Sequence, residues 1–322
     1  MTFPGDTTFV LGAGFSVAAG FPLVRVLRER VIEFLDRKRG EPWTLCLEPE
    51  FHGYTRGEFQ TGLTRVDPGG RLGFEELLIE LSRQLAESER GDPCAATDRL
   101  LRKGCASLLW SIQDSDGLVL PCYKNFATRL RDSGGSAVIT FNWDVLVEKA
   151  LSEIDARWSY DLSARDVSVI KPHGSINWNG YRREELQPYY QGWQQLGDGS
   201  QLCYDRNKPF ADPFPQDVNA DLRYVIYPGD PELPNEDIDV AWLWKRAADA
   251  IKRSASIVFI GYSLPEYDSY AREFLLENAR GKRLQAYTPS NADLDRYKQL
   301  FGDSIELRKQ KFEDCEYAVA PA

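Results

Sequence analysis

The sequence has no CxxC cysteine pair, almost no histidine and no block of basic residues. Its 6 cysteines stand at 46, 94, 105, 122, 203 and 315 with no CxxC pair among them, and its only histidines are His52 and His173. That spacing builds no zinc ribbon, so no structural metal is expected. Thiols scattered in this way through a cytosolic chain stay reduced and partly buried rather than bridged. Lysine and arginine number 39 against 49 acidic residues, a formal charge of −10. Without a basic block, neither a non-specific nucleic-acid groove nor an anionic membrane surface is expected as the main partner. A membrane-spanning run of about 18 apolar residues is also missing. The first residues, MTFPGDTTFV, lead straight into a strand pattern, and the expected location is cytoplasmic. Two signatures are absent as well: GxxxxGK[ST], the mark of a P-loop, and GxSxG, the elbow of a serine nucleophile.

What is present starts with residues 12 to 22, GAGFSVAAGFP, directly after the apolar run Thr8-Phe9-Val10-Leu11. A strand, a glycine turn and a helix start in that order make a phosphate cradle. Gly12 and Gly14 let the backbone approach an anion, and the free N–H groups and positive end of the next helix face it. A tight turn with no ligand is the other reading of this segment taken alone. The usual dinucleotide fingerprint needs a third glycine where this chain has Val17, and an acidic residue ending a second strand about 20 residues further on. Leu23, Val26, Leu27, Val31, Phe34 and Leu35 recur at helical spacing there instead, which counts against a dehydrogenase.

At 322 residues the chain is long enough for one large α/β domain with inserted segments. The spacing predicts a first helix over 16 to 39, an irregular excursion over 41 to 70, and helices at Phe74 to Ala86, Ala96 to Ile112 and Tyr123 to Leu130. Together these make a helical insertion at about 41–132. Short β-branched runs follow at Ala137 to Phe141, Val167 to Ile170, Tyr224 to Tyr227, Ile257 to Ile260, Leu284 to Tyr287 and Ile305 to Leu307. Helices are predicted between them at Val145 to Ile154, Val240 to Arg253 and Ser269 to Ala279. This is the pattern of a Rossmann-like, doubly wound parallel sheet covered on both faces. An irregular, aromatic-rich insertion is predicted at about 180–222.

The polar residues of interest stand just after those strands, where an open α/β sheet places its ligand crevice. They are Thr140-Phe141-Asn142-Trp143-Asp144, then Lys171-Pro172-His173-Gly174-Ser175, then Gly261-Tyr262-Ser263-Leu264-Pro265. Each has a plainer reading. Asn142 and Asp144 can cap the helix that follows, and Ser16, Ser263 and Asp268 can cap theirs. His173 can be a turn residue, His52 a surface one, and Trp178, Tyr181, Tyr189, Tyr190 and Trp193 can be packing.

Taken in order, GAGFSVAAGFP, TFNWD, PHGS and GYSLP resemble the motifs GAGxSxxxGxP, TxNxD, HG and GxS of the sirtuin (silent information regulator) superfamily. The resemblance runs over most of the chain as scattered anchors and leaves the helical insertion and residues 180 to 222 unmatched. It implies a single NAD-binding domain, with NAD as substrate and Gly12, Ala13, Gly14, Ser16, Phe21, Pro22, Thr140, Gly261, Ser263 and Leu264 as binding positions. Asn142, Asp144 and His173 are the implied catalytic set. Asn142 orients water or a ribose hydroxyl, Asp144 holds the ribose and favours its developing positive charge, and His173 is a general base near its ordinary pKa of ~6.5.

The departures narrow this further. Sirtuin deacylases carry two CxxC pairs for zinc and an aromatic-Arg pair after the proline, whereas here Pro22 is followed by Leu23-Val24-Arg25. The chain looks more like the bacterial sirtuin-like proteins that hydrolyse NAD in anti-phage defence. Three functions remain open: an NAD glycohydrolase, a zinc-less NAD-dependent deacylase, and a non-catalytic module that binds NAD or ADP-ribose. By the same analogy the expected partners are a companion defence protein (an ATPase, an Argonaute-like or a nucleotide-processing subunit) or further copies of the chain.

Overall fold

A computed structural model describes residues 7–37, 56–86, 93–115, 117–134, 136–162, 166–180, 193–195, 202–205, 223–225 and 240–320. The chain opens with β1 (Thr7–Leu11), a single helical turn α1 (Ala13–Ser16), and α2 (Val24–Arg37). The helical segment before the next strand is α3 (Arg56–Val66), α4 (Phe74–Ala86), α5 (Pro93–Gln113) and α6 (Pro121–Ser133). Then come β2 (Ala137–Thr140), α7 (Leu146–Glu153), β3 (Trp158–Ser159), β4 (Val167–Ile170) and β5 (Gly174–Gly180). Three short strands follow, β6 (Trp193–Gln195), β7 (Leu202–Asp205) and β8 (Arg223–Val225). The chain ends with α8 (Val240–Arg253), β9 (Ser256–Ile260), α9 (Ser269–Asn278), β10 (Arg283–Tyr287), α10 (Asn291–Phe301) and β11 (Ile305–Arg308).

Seven strands form one parallel sheet in the order β11-β10-β9-β1-β2-β4-β3. All of β1, β2 and β4 is buried, as a parallel sheet with covered faces requires. This is the α/β, Rossmann-like architecture that the strand-and-helix alternation predicts.

Several expected elements differ. The predicted helix over 16 to 39 is broken: α1 gives way to a 3₁₀ turn at Val17–Ala19, and Gly20 at φ 87° ends it. Pro22 cannot donate to a preceding carbonyl, so a new helix starts at Val24. Within the supposed irregular excursion, residues 56 to 66 are helical, while 41 to 55 lie outside the described residues. A helix at Asn291–Phe301 was not anticipated; the Ser290 hydroxyl caps it by accepting from the Asp293 N–H.

The strand expected near Tyr224 does not join the parallel sheet. It pairs with β5 in a separate antiparallel sheet, β6-β7-β5-β8. The region from 180 to 222 is therefore not wholly irregular, since β6 and β7 fall inside it. Short apolar runs carry strand propensity but no record of which sheet they join.

Candidate active site

The sheet order reverses at β1. From it the chain steps out through β2, β4 and β3 on one side and through β9, β10 and β11 on the other. Loops leaving β1 therefore diverge from their neighbours and open a crevice at the strands' carboxyl ends. A cavity of about 940 Å³ lies there.

The glycine turn builds its floor, for a reason the sequence did not show. A Cβ on Gly12 would stand 2.5 Å from Tyr262 Cα, and one on Gly14 would stand 2.8 Å from Gly261 Cα. Gly261, at φ 62°, closes the same contact from the other side, where a Cβ would stand 2.4 Å from the Phe15 nitrogen. These glycines let the β1 and β9 loops nest backbone to backbone. The Gly14 N–H donates to Gly261 O (2.9 Å) and the Phe15 N–H to Gly12 O (2.9 Å). The expected cradle of free N–H groups is thus partly spent on protein, and the helix behind it is one turn long. Tyr123 pins that turn: its hydroxyl donates to Phe15 O (2.9 Å) and accepts from the Ala19 N–H (3.1 Å).

The β2 loop locks onto this turn. The Asn142 amide donates to Gly12 O (3.0 Å) and Ser16 Oγ (3.1 Å), and Ser16 in turn donates to Asp144 Oδ2 (2.8 Å). Asp144 Oδ1 accepts from the Leu146 N–H (3.1 Å), so the carboxylate ties the start of α7 to the glycine turn, but the cap position expected for Asp144 is held by Val145, whose side chain makes no capping hydrogen bond. Ser16 is part of this network and caps no helix.

Burial pushes the Asp144 carboxyl above its ordinary value, while Lys171 opposes the shift. Lys171 is itself fully buried. Its ammonium donates to Asp144 O (2.5 Å) and pairs with Glu148 at 3.1 Å, both side chains being 0% exposed. Tyr160 donates to the same Glu148 oxygen (3.0 Å). A buried pair needs such extra donors to offset its desolvation.

His173 is 2% exposed and faces the cavity. Phe141 lies 4.8 Å from it and stacks in turn on Tyr262 at 4.5 Å. Its Nε2 is 3.4 Å from Asp268 Oδ2, close but not aligned as a hydrogen bond. Asp268 is occupied elsewhere, capping α9 through the Ala271 N–H and accepting from the Tyr262 hydroxyl (3.0 Å). Burial pulls the His173 pKa down, with Asp268 opposing, so the ring is neutral at pH 7 rather than poised near its ordinary value. Both His173 nitrogens and the Trp143 Nε1 lack a hydrogen-bond partner among the described residues. All three belong to side chains on the cavity wall.

Of the positions singled out in the sequence, Gly12, Ala13, Gly14, Ser16, Phe21 and Pro22 line the cavity, as do Asn142, Asp144, His173, Gly261 and Ser263. Thr140 and Leu264 do not. Thr140 is buried, and its hydroxyl accepts from the Asn142 N–H (3.1 Å). Leu264 is fully buried at φ 49°, a shape-setter for the loop. His52 lies outside the described residues. Sequence reasoning passed over Lys171, which stands in a quoted motif, and Glu75 and Tyr267, which line the cavity. Nothing in the local pattern separates Glu75 from the surface carboxylates of its helix.

No group of histidine, cysteine and carboxylate side chains among the described residues is placed to hold a metal ion. No helix among them is long and apolar enough to cross a membrane.

No protein-family model matches the chain, and no curated protein matches it. Solved structures similar to it include Sir2Tm bound to a propionylated peptide, 15% identical with a TM-score of 0.44 over 96% of this chain and 89% of that one. A mutant Sir2 homologue in complex with ADP-ribose is 16% identical, with a TM-score of 0.41 over 95% of this chain and 86% of that one.

Proposed function

We propose that this chain is an NAD glycohydrolase, which breaks the nicotinamide–ribose bond of NAD and releases nicotinamide and ADP-ribose. The observation that carries the reading is the set of unpartnered buried nitrogens, on His173 and Trp143, facing a cavity at the reversal point of a parallel sheet. Buried polar atoms in a folded protein find partners, and a ligand in this cavity would supply them. Nicotinamide leaves as a neutral molecule, so the site has to stabilise a cationic sugar rather than protonate a leaving group. Asp144 supplies negative charge in a dry pocket, where it acts strongly. The Asn142 NH₂ is committed to Gly12 and Ser16, which leaves its carbonyl oxygen to accept from a ribose hydroxyl or water. Neutral His173 accepts a proton from a ribose hydroxyl.

The resemblance read in the sequence extends the proposal to a role in anti-phage NAD depletion, controlled by a companion protein or by self-assembly. It also makes residues 1–322 one NAD-binding domain carrying the insertions at about 41–132 and 180–222. The test is nicotinamide and ADP-ribose release from NAD by wild type, Asn142→Ala and His173→Ala. Release by wild type that both variants lose supports the reading. Release that persists in both overturns the site, and a wild type that neither binds NAD nor releases nicotinamide overturns the function.

A further inference from the structure

The helical segment contributes a group to this cavity that the reaction as described does not use. Glu75, in the first turn of α4, is only 8% exposed and lines the same cavity as His173. Phe74 beside it packs edge-on against Trp143 at 6.0 Å. Its carboxyl feels the charge of Asp268, whose own oxygen is 3.4 Å from His173. The Tyr267 hydroxyl faces Glu75 as a hydrogen-bond donor from the β9 loop. The other titratable neighbours are Glu76 on its own helix and the Cys105 thiol on α5, both of which Glu75 influences or is influenced by.

We propose that Glu75 is a second catalytic base of this cavity, the group that takes the proton of the attacking water. The inference rests on the NAD-hydrolysis reading above. The water oxygen bonds to the anomeric carbon of the nicotinamide ribose as the carbon–nitrogen bond breaks. That bond's electron pair leaves with the nicotinamide nitrogen, which becomes neutral, and the water proton passes to the Glu75 carboxylate. His173 is left to the ribose hydroxyl. Burial, with Asp268 and Glu76 adding to it, pushes the Glu75 carboxyl up to about 7, against the pull of Tyr267. A base titrating near the working pH is the most effective kind. His173, driven the other way, is the weaker base of the two.

The experiment compares nicotinamide release from NAD across pH 5 to 9 for wild type, Glu75→Gln, Glu75→Asp and His173→Ala, with ADP-ribose binding measured by calorimetry on each. The expected result is a fall in kcat of about 100-fold or more in Glu75→Gln, with ADP-ribose affinity unchanged. The limb of the wild-type profile near pH 7 should disappear with it, leaving the more acidic one of His173, and Glu75→Asp should recover part of the rate. Glu75→Gln that keeps the wild-type kcat and the limb near pH 7 overturns the proposal and leaves the NAD reading standing. Loss of ADP-ribose binding in Glu75→Gln also overturns it, because Glu75 is then a binding or structural group. If wild type binds NAD without turnover, proton exchange on binding is compared in buffers of different ionisation enthalpy. An exchange that Glu75→Gln abolishes supports the proposal, and one it leaves intact overturns it. A wild type that neither binds nor cleaves NAD removes the parent reading instead.

Discussion

Two regions beside the cavity handle charge in opposite ways. Beneath the β2 and β4 loops, Lys171 and Glu148 are both 0% exposed and joined to Asp144, Tyr160, Asn177 and Ser175 through buried hydrogen bonds. Beside the β10 loop, Arg296 and Asp293 pair within one turn of α10, their side chains 30% and 17% exposed. Arg296 also donates to Ser263 O (2.8 Å). The first arrangement holds catalytic candidates in place and cannot lose a member without stranding a charge. The second is a local contact that water can replace.

The largest effect that would test this contrast is at Lys171. Lys171→Met leaves Glu148 buried without its cation, and the loss should be about 3–5 kcal/mol of unfolding free energy in a urea melt. Adding Glu148→Leu should restore most of it, since an apolar pair of similar size no longer carries an uncompensated charge. A Lys171→Met protein as stable as wild type would break the comparison. Next comes Gly261→Ala, in the loop after β9. A left-handed alanine costs about 1–2 kcal/mol, and here its Cβ also meets the Phe15 nitrogen at 2.4 Å. Thermal unfolding should fall by more than the left-handed cost alone.

Glu75 sharpens the comparison through pH. Its pKa rises from 4.5 in the ordinary range to about 7 on folding, so between those values the native state holds a proton that the unfolded chain has released. Stability from this group is fully present below pH 4.5 and falls as pH rises to 7, by about 3 kcal/mol at ~1.4 kcal/mol per pKa unit. His173, lowered from 6.5, acts in the opposite sense, losing stability as the solution becomes acid. The difference between wild type and Glu75→Gln in denaturant midpoints from pH 4.5 to 7 isolates the carboxyl. A flat difference would show that Glu75 ionises as freely as a surface residue. The smallest effect belongs to Arg296→Ala, which should cost no more than about 1 kcal/mol in the same melts.

Much of the cavity's composition was legible in advance because it stands in short stretches just after apolar runs. Gly12, Asn142, Asp144, His173 and Gly261 were all named from that position. What the glycines touch was not legible. Gly12 and Gly14 were read as making room for an anion, yet the structure shows them making room for the β9 loop. The cap expected at Asp268 is present, but α7 has Val145 at its cap position, and Asp144 also serves Ser16, 128 positions away. A cap is local and a second partner is not. The separate antiparallel sheet was missed for the same reason, since β5 finds β8 only after the chain has passed through β6 and β7.

By itself the sequence determined where strands and helices recur, that the sheet is parallel, and which polar residues end its strands, because periodicity and turn chemistry act over a few residues. Tertiary structure alone decided that Ser16 meets Asp144 across 128 positions, that Lys171 is buried on Glu148, and that Glu75 reaches the wall His173 faces. Those outcomes depend on desolvation and on partners far apart in the chain, quantities that no local pattern contains.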